Sequence, residues 1–421
     1  MNTFFLFDSR KWNQILCAFT ICLPVFNYGN TLGWMSPMSL LLQSNHSPSG
    51  EPLTDVEISW LAAIPYLAGV PLYFLLAYIG DRYGRKPTLL LSTALGSTIW
   101  ILKLFPQFWP LFVSRCMVGI LMACSFVTCP VYIKEISENS IRGHLGCWEA
   151  EKVLLWLRRK NEIDCAIRQE IETIQSEQKN DEVNDSSIIK AIFADKILFK
   201  AFQIALMAAF ARELCGAIPV GNFAGDIFAR ASDGTRVVLN PNQQAMVLGA
   251  VQTAATIVAS NIVEKSGRRP LLFITCLISG ISMCSLATWF LFKDYGYNPP
   301  EWIPVFTLCI CIFCDSAGLL PVGTVLIGEI FSFKYRGTVL GTSMAIASFL
   351  DFLQVLFFKM ISARIGVHVA FYTFAAMCLL MALYIFAKIP ETRTRPLEEI
   401  YDDLRTNKKK RAQKTDVVTR F

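Results

Sequence analysis

The chain has 421 residues, of which 53% are hydrophobic and only 17% are charged, and its formal net charge is +6. A soluble domain usually carries about 25% charged residues, so this composition argues against a soluble enzyme. The excess of Lys and Arg lies in short connectors rather than on a soluble basic surface, which argues against binding to nucleic acid.

Ten runs of the sequence meet the requirement for a membrane-spanning helix, which is about 20 mostly apolar residues. They cover residues 12–34, 58–80, 88–106, 110–133, 201–228, 243–263, 270–292, 303–331, 338–361 and 367–388. The predicted fold class is therefore an all-α polytopic membrane protein with about ten spans.

A polar stretch separates the fourth run from the fifth, and its Leu and Ile residues recur at helical spacing among many charges. This pattern predicts a soluble helical linker between two half-bundles. The predicted regions are a first half-bundle of about four spans (1–148), the cytoplasmic linker (149–200), a second half-bundle of about six spans (201–390) and a cytoplasmic tail (391–421).

Lys and Arg are concentrated in every second connector, whereas the loop 36–57 contains neither residue. Basic residues accumulate in cytoplasmic connectors, so both termini are predicted to be cytoplasmic and the loop 36–57 external. Asn45-His46-Ser47 is a glycosylation sequon in that loop, which agrees with this orientation.

Two motifs recur in the same order along the chain, which predicts a duplicated half. The sequence Gly84–Pro87 is echoed by Gly267–Pro270. The second motif is a Glu followed seven residues later by an Arg, in the pairs Glu135 with Arg142 and Glu329 with Arg336. Two further spans follow the second copy and none follows the first, so the first half is predicted to lack two spans.

The motifs carry a resemblance to the sugar porters of the major facilitator superfamily. Gly80–Lys86 resembles the loop signature of that superfamily, Pro130–Ile136 resembles the sugar-porter signature, and Pro390–Arg393 resembles its closing motif. Leu32–Pro37 is similar to insect facilitated trehalose transporters, and spans five and six of the family are lacking. The resemblance implies facilitated diffusion of trehalose or a hexose by alternating access at the plasma membrane, and no enzymatic activity.

The resemblance and the repeat together imply a cytoplasmic gate made of charge-assisted hydrogen bonds between helix ends. Its members are Asp81, Arg82, Arg85, Glu135, Arg142, Arg268, Arg269, Glu329 and Arg336. The alternative interpretation is that these charges only fix the topology of the loops.

The resemblance also implies substrate contacts near the membrane midplane, and the candidates are Gln252, Arg212, Glu213, Asn30 and Asp351. Gln252 fits an amide contact, whereas Arg212 and Glu213 replace the amides usual on span seven. Charged residues inside a membrane line a pathway or pair with one another, so pairing of Arg212 with Asp351 or Asp315 is the structural alternative.

Several functions stay open at this point. Asn27 and Asn30 stand on span one where proton-driven relatives have an acid, which favours facilitated diffusion, although Asp351 or Glu213 is an alternative proton carrier. The alternatives to a transporter are a non-transporting sensor or partner subunit, or a shortened, transport-defective form. We expect a sugar substrate, a lipid bilayer, no cofactor, no metal and no nucleic acid, and an oligomer if the lacking spans expose a cavity wall.

Overall fold

The computed structural model describes residues 12–129, 132, 192–232, 240–297, 299–331, 333–393, 395, 399 and 401. The described residues are helices joined by short connections, and they fall into two compact units. The first unit contains residues 12–32 and 67–129, and the second contains 33–66 and the described residues from 192 onward.

The helices follow one another in chain order with few intervening residues. They are α1 (Trp12–Gly33), α2 (Met35–Leu42), α3 (Asp55–Tyr83), α4 (Arg85–Leu102), α5 (Phe108–Ala123), α6 (Lys196–Glu213), α7 (Ala217–Ser232), α8 (Pro241–Lys265), α9 (Arg268–Asp294), α10 (Trp302–Cys314), α11 (Leu320–Ile330), α12 (Phe333–Arg364) and α13 (Val367–Lys388). Two π-helical segments, Cys124–Thr128 and Asp315–Leu319, directly follow α5 and α10.

Most described residues of the ten predicted runs are helical, although the run 201–228 is interrupted between Glu213 and Ala217 and the run 88–106 stops being helical after Leu102. Within the described part of the chain, seven helical segments are long and apolar enough to cross a membrane by length and composition alone. The helices α1, α4 and α8 are not among them; α4 begins with Arg85 and Lys86, and α8 begins with a run of amide side chains. The predicted all-α architecture is confirmed, whereas the number of spans stays a prediction.

Local sequence explains where several helices begin. Thr54 and Glu57 form a reciprocal capping pair, since the Thr54 amide donates to Glu57 Oε2 at 2.8 Å and the Glu57 amide donates to Thr54 Oγ1 at 3.3 Å. Asp195 accepts from the Ile197 amide at 2.8 Å, just ahead of α6. Gly84 has φ of +93°, a left-handed conformation that lets α3 turn directly into α4.

Polar contacts join helices within the first unit. Trp100 Nε1 donates to Asn27 Oδ1 at 2.8 Å and thereby joins α4 to α1. Arg115 of α5 is fully buried, and its Nη1 donates to the carbonyl of Thr31 at 3.0 Å. Because a buried polar group is costly without a partner, these bonds fix how α1 packs on α4 and α5.

Aromatic rings form much of the core of the second unit. Phe358 of α12 stacks on Phe223 of α7 and on Phe374 of α13, with ring centroids 5.7 and 6.2 Å apart. Phe371 contacts Phe358 edge-on and stacks on Phe290 of α9. Such rings bury large apolar areas, so this stack holds α7, α9, α12 and α13 together.

The segment 33–66 packs with the second unit, although it precedes most of the first unit in sequence. Ser36 Oγ accepts from the Gly225 amide at 3.0 Å, and Asn222 Nδ2 donates to the Tyr66 hydroxyl at 2.9 Å. The boundaries 1–148, 149–200, 201–390 and 391–421 stay predictions, since most of the linker lies outside the described residues.

Candidate functional site

The helical path from Lys196 to Ser232 is interrupted near its middle, between the end of α6 and the start of α7. Gly216 lies in this break with φ of +79°, and a Cβ there would come within 2.6 Å of the Phe374 ring. Only glycine satisfies both conditions. Non-helical backbone at membrane depth is tolerated where it is buried in protein or lines a cavity, so the break is the first candidate for a site.

Arg212 and Glu213 end α6 at this break, and Asp315 approaches them from its π segment. Arg212 Nη1 donates to Glu213 Oε1 at 2.7 Å, and Arg212 Nε lies 3.6 Å from Asp315 Oδ1. The two carboxyl side chains are each only 4% exposed, whereas that of Arg212 is 16% exposed. Of the two pairings offered as the structural alternative, Arg212 with Asp351 or with Asp315, the structure shows the one with Asp315.

Asp351 completes this group from the middle of α12. Its Oδ1 accepts from Gln354 Nε2 at 3.0 Å, and the same Nε2 donates to the carbonyl of Glu213 at 2.7 Å. Gln354 therefore bridges the carboxyl group of Asp351 and the backbone of Glu213. We call Arg212, Glu213, Asp315 and Asp351 the midspan cluster.

Gln252 and Asn30 have a different placement. Gln252 lies on α8 with an exposed side chain, and its backbone carbonyl accepts from Thr256 Oγ1 at 3.0 Å. Asn30 is exposed on α1, in the first unit. The structure thus brings Arg212, Glu213 and Asp351 together, and within the second unit no described hydrogen bond joins Gln252 to them.

Two of the predicted gate residues of the second half, Arg268 and Glu329, meet through their side chains. Arg268 Nη2 lies 2.8 Å from Glu329 Oε1, and Arg268 Nε donates to the same oxygen at 3.0 Å. Glu391 accepts from the backbone amides of Arg268 and Arg269 at 2.9 and 3.2 Å, at the first turn of α9. Thr392 Oγ1 donates to Glu329 Oε2 at 2.5 Å. We call this group the Arg268 network.

The remaining gate candidates have other contacts or lie outside what is described. Arg269 Nη2 donates to the carbonyl of Phe386, Arg82 Nη1 donates to the Tyr78 hydroxyl at 2.6 Å, and Arg85 Nη1 donates to the carbonyl of Gly80. Four further candidates are not tested: Glu135 and Arg142 lie outside the described residues, as do the side chains of Asp81 and Arg336.

Two residues that the sequence reasoning gave no role take part in these arrangements. Glu391 caps α9, and its motif Pro390–Arg393 was the available signal. Lys359 is a lone cation in the apolar run of α12, which is itself a signal for a functional or paired charge. Its side chain is 1% exposed, and its Nζ donates to Gln43 Oε1 at 2.5 Å and lies 3.5 Å from Asp55.

Residues 147–404 match the family model described as "Sugar (and other) transporter", and residues 15–146 match "Major Facilitator Superfamily". The chain belongs to the sugar transporter family. The resemblance that the motifs carry is thereby confirmed, and neither a sensor nor a transport-defective form is favoured by the match.

Members of the family from several animals are similar over most of this chain. The facilitated trehalose transporter Tret1 of Polypedilum vanderplanki is 24% identical, with 92% of this chain and 87% of the relative covered. The Tret1 of Anopheles gambiae is 24% identical over 92% of this chain, which spans only 56% of that protein. The mouse solute carrier family 2, facilitated glucose transporter member 6, is 22% identical, with 91% and 90% covered.

Solved structures of family members have the same fold. The inward-open xylose transporter XylE from E. coli has a TM-score of 0.67 at 16% identity and covers 92% of this chain and 98% of its own. A crystal structure of a D-xylose-proton symporter has a TM-score of 0.64 at 18% identity, with 92% and 100% covered. At these identities the likeness shows the fold of the family.

The lengths of the alignments bear on the two lacking spans. The Polypedilum alignment runs over 448 positions, whereas 92% of this chain is about 387 of its 421 residues. About 60 positions thus have no counterpart in this chain, which is about the length of two spans with their connection. Residues 133–191 lie outside the part of the chain that the structure describes, although those from 147 onward fall within the family match. The lacking spans therefore stay a prediction.

Proposed function

We propose that the chain carries a sugar, trehalose or a hexose, across the plasma membrane by facilitated diffusion. The observation that supports this most directly is the break between α6 and α7, which places polar side chains and non-helical backbone near the middle of a membrane-spanning path. Interrupted spans at the midplane are where transporters of this architecture bind their substrates. The names of the relatives support trehalose or glucose as substrates to try first.

The chemistry of the proposed pathway suits a ligand rich in hydroxyl groups. A hydroxyl both donates and accepts hydrogen bonds, so a sugar hydroxyl is a suitable partner for the amide of Gln252 and for the charged group of Arg212. Arg212 is the most exposed member of the midspan cluster, with 16% of its side chain accessible, and is its point of contact with the pathway. Glu213 and Asp315 pair with the Arg212 guanidinium and set its position.

The Arg268 network is proposed as the second-half part of the cytoplasmic gate. Charge-assisted bonds at helix ends are strong enough to hold one conformation and are broken by a rigid-body rotation of helices. Both termini are proposed to be cytoplasmic, since the connectors with Lys and Arg are then on the cytoplasmic side.

The test is counterflow of labelled trehalose and labelled glucose into liposomes that contain the purified 421-residue chain. We expect saturable accumulation that excess unlabelled sugar abolishes and that empty liposomes lack. Counterflow requires an alternating carrier and is independent of any ion gradient, so it isolates the sugar step.

A labelled polyol of similar size serves as the control for a leak. Unsaturable entry of both solutes would identify a pore, and absence of entry into liposomes with correctly inserted protein would contradict the transport proposal. Saturable exchange of one sugar alone would identify the substrate.

A further inference from the structure

The midspan cluster carries more negative than positive charge. It contains the carboxyl groups of Glu213, Asp315 and Asp351 and a single guanidinium, that of Arg212. If all four groups were ionised, two carboxylates would lack a counter-charge at a place where the surrounding helices are apolar. An uncompensated buried charge is so costly that the group neutralises instead.

Other groups around the cluster supply no second cation. Beside Asp315 lie the thiols of Cys215, Cys311 and Cys378. On α7, which also packs on α12, Asp226 and Arg230 pair with each other, and Lys359 of α12 lies near Asp226 rather than near Asp351. At the far end of α11, Glu329 pairs with Arg268. Within the described residues, Arg212 is therefore the cation that the three carboxyl groups share.

Geometry shows which two carboxyl groups compete. Glu213 Oε1 receives Arg212 Nη1, whereas Glu213 Oε2 is buried with no hydrogen-bond donor among the described residues. Asp351 Oδ1 receives Gln354 Nε2. Gln354 Nε2 donates to both Asp351 Oδ1 and the carbonyl of Glu213, which brings the Asp351 carboxyl group against Glu213. Two carboxyl groups form a hydrogen bond with each other only if one of them carries a hydrogen.

We propose that Asp351 binds a proton on Oδ2 and, through it, donates a hydrogen bond to Glu213 Oε2. Glu213 is the acceptor because Arg212 stabilises its ionised form, and Asp351 is the acid because its other oxygen has only the neutral amide of Gln354. Binding adds one proton to the Asp351 carboxylate, and release to water restores the carboxylate with no other bond changed. Glu213 and Asp351 are only 3% and 5% exposed, so a proton reaches them whereas a larger ligand does not.

The inference goes beyond sugar transport and does not depend on the identity of the sugar. A proton removes one of the two uncompensated negative charges of the buried cluster, and it is released when the helices separate and water enters. Any step of the transport cycle that opens the α6–α7 break therefore becomes sensitive to pH.

Infrared difference spectroscopy on the full chain in lipid nanodiscs tests the proposal without requiring transport. A protonated carboxyl group has a C=O stretch that a carboxylate lacks, and a buried one shifts in D2O. We expect this band at neutral pH in the wild type and its loss in Asp351→Asn, whose amide can accept from Gln354 and donate to Glu213 in the same way. Because the amide mimics the protonated acid, the variant folds.

The matched control is Asp294→Asn, the same change at an exposed carboxyl group that pairs with His368 at 2.8 Å. It should retain the band. Absence of the band in the wild type, or its persistence in Asp351→Asn, overturns the proposal whether or not the chain transports sugar.

A second arm compares thermal stability across pH. Ionising Asp351 would set a second carboxylate against Glu213, so the melting temperature of the wild type should fall as the pH rises from 6 to 9, and that of Asp351→Asn should not. Equal pH profiles for the two proteins would contradict the proposal.

Discussion

The midspan cluster and the Arg268 network are both built around one arginine of the second unit, yet they differ in charge and in access to solvent. Arg268 faces Glu329, while Glu391 accepts from helix amides, and the Arg268 and Glu329 side chains are 14% and 25% exposed. Arg212 serves three carboxyl groups that are almost completely buried. In the Arg268 network each carboxylate has its own donors, whereas the three carboxyl groups of the midspan cluster share one arginine and one of them needs a proton.

This difference has an energetic meaning. In a partly exposed network water compensates a lost partner, so each contact is worth a modest amount. In a buried cluster the loss of the only cation leaves charges without compensation, and the cost is several times larger. The same substitution in the two places should therefore give very different results.

The largest expected effect comes from replacing each arginine by methionine, which keeps much of the volume and removes the charge. Arg212→Met should destabilise the protein by about 3–5 kcal/mol, the usual cost of breaking a buried ion pair from one side. Arg268→Met should cost about 1–2 kcal/mol, as for a partly exposed charged hydrogen bond. Melting temperatures in detergent measure both.

The double variant Arg212→Met with Glu213→Gln checks why Arg212→Met should lose more stability than Arg268→Met. Removing one of the orphaned carboxylates should restore part of the stability that the single variant loses. Equal losses of stability for Arg212→Met and Arg268→Met would contradict the energetic difference between the midspan cluster and the Arg268 network.

An intermediate effect is expected for Glu391→Ala, which removes the acceptor for the amides at the start of α9. Loss of such a cap typically costs about 0.5–2 kcal/mol. Hydrogen exchange should accelerate at the amides of Arg268 and Arg269 and stay unchanged at the middle of α9. Glu399→Ala is the control, because its carboxylate is half exposed and lies 3.7 Å from Arg395; acceleration in both variants would contradict the capping role.

The smallest effect on stability is expected for Gln252→Ala, outside both clusters. Its side chain is exposed, so the melting temperature should change little. If Gln252 contacts the sugar, loss of one hydrogen bond of about 1 kcal/mol should weaken sugar affinity roughly fivefold. Thr253→Ala is the matched control, since its hydroxyl bonds to the carbonyl of Gly249; equal affinities for the two variants would remove Gln252 from the pathway.

The repeat predicted from the Gly-Arg and Glu-Arg motifs has a counterpart in the backbone. Both spans that lead to the repeated glutamates, Glu135 and Glu329, contain a π segment, Cys124–Thr128 in one and Asp315–Leu319 in the other. Such segments are rare and are frequent at functional sites. No sequence rule that we applied predicts them, because a π turn depends on the packing around the helix.

The sequence by itself determined the helical runs, the motifs and the family, because hydropathy and helix capping act over a few residues. It predicted one continuous run over 201–228, and only the structure shows the break at Gly216. It also identified Arg212, Glu213, Asp315 and Asp351 as charges in apolar surroundings. Only the tertiary structure decided their partners: Arg212 meets Asp315 across 103 positions of sequence, and Lys359 meets Gln43 across 316. The physical reason is that a buried charge takes whichever partner the packed helices bring within reach, and that distance is set by the whole unit.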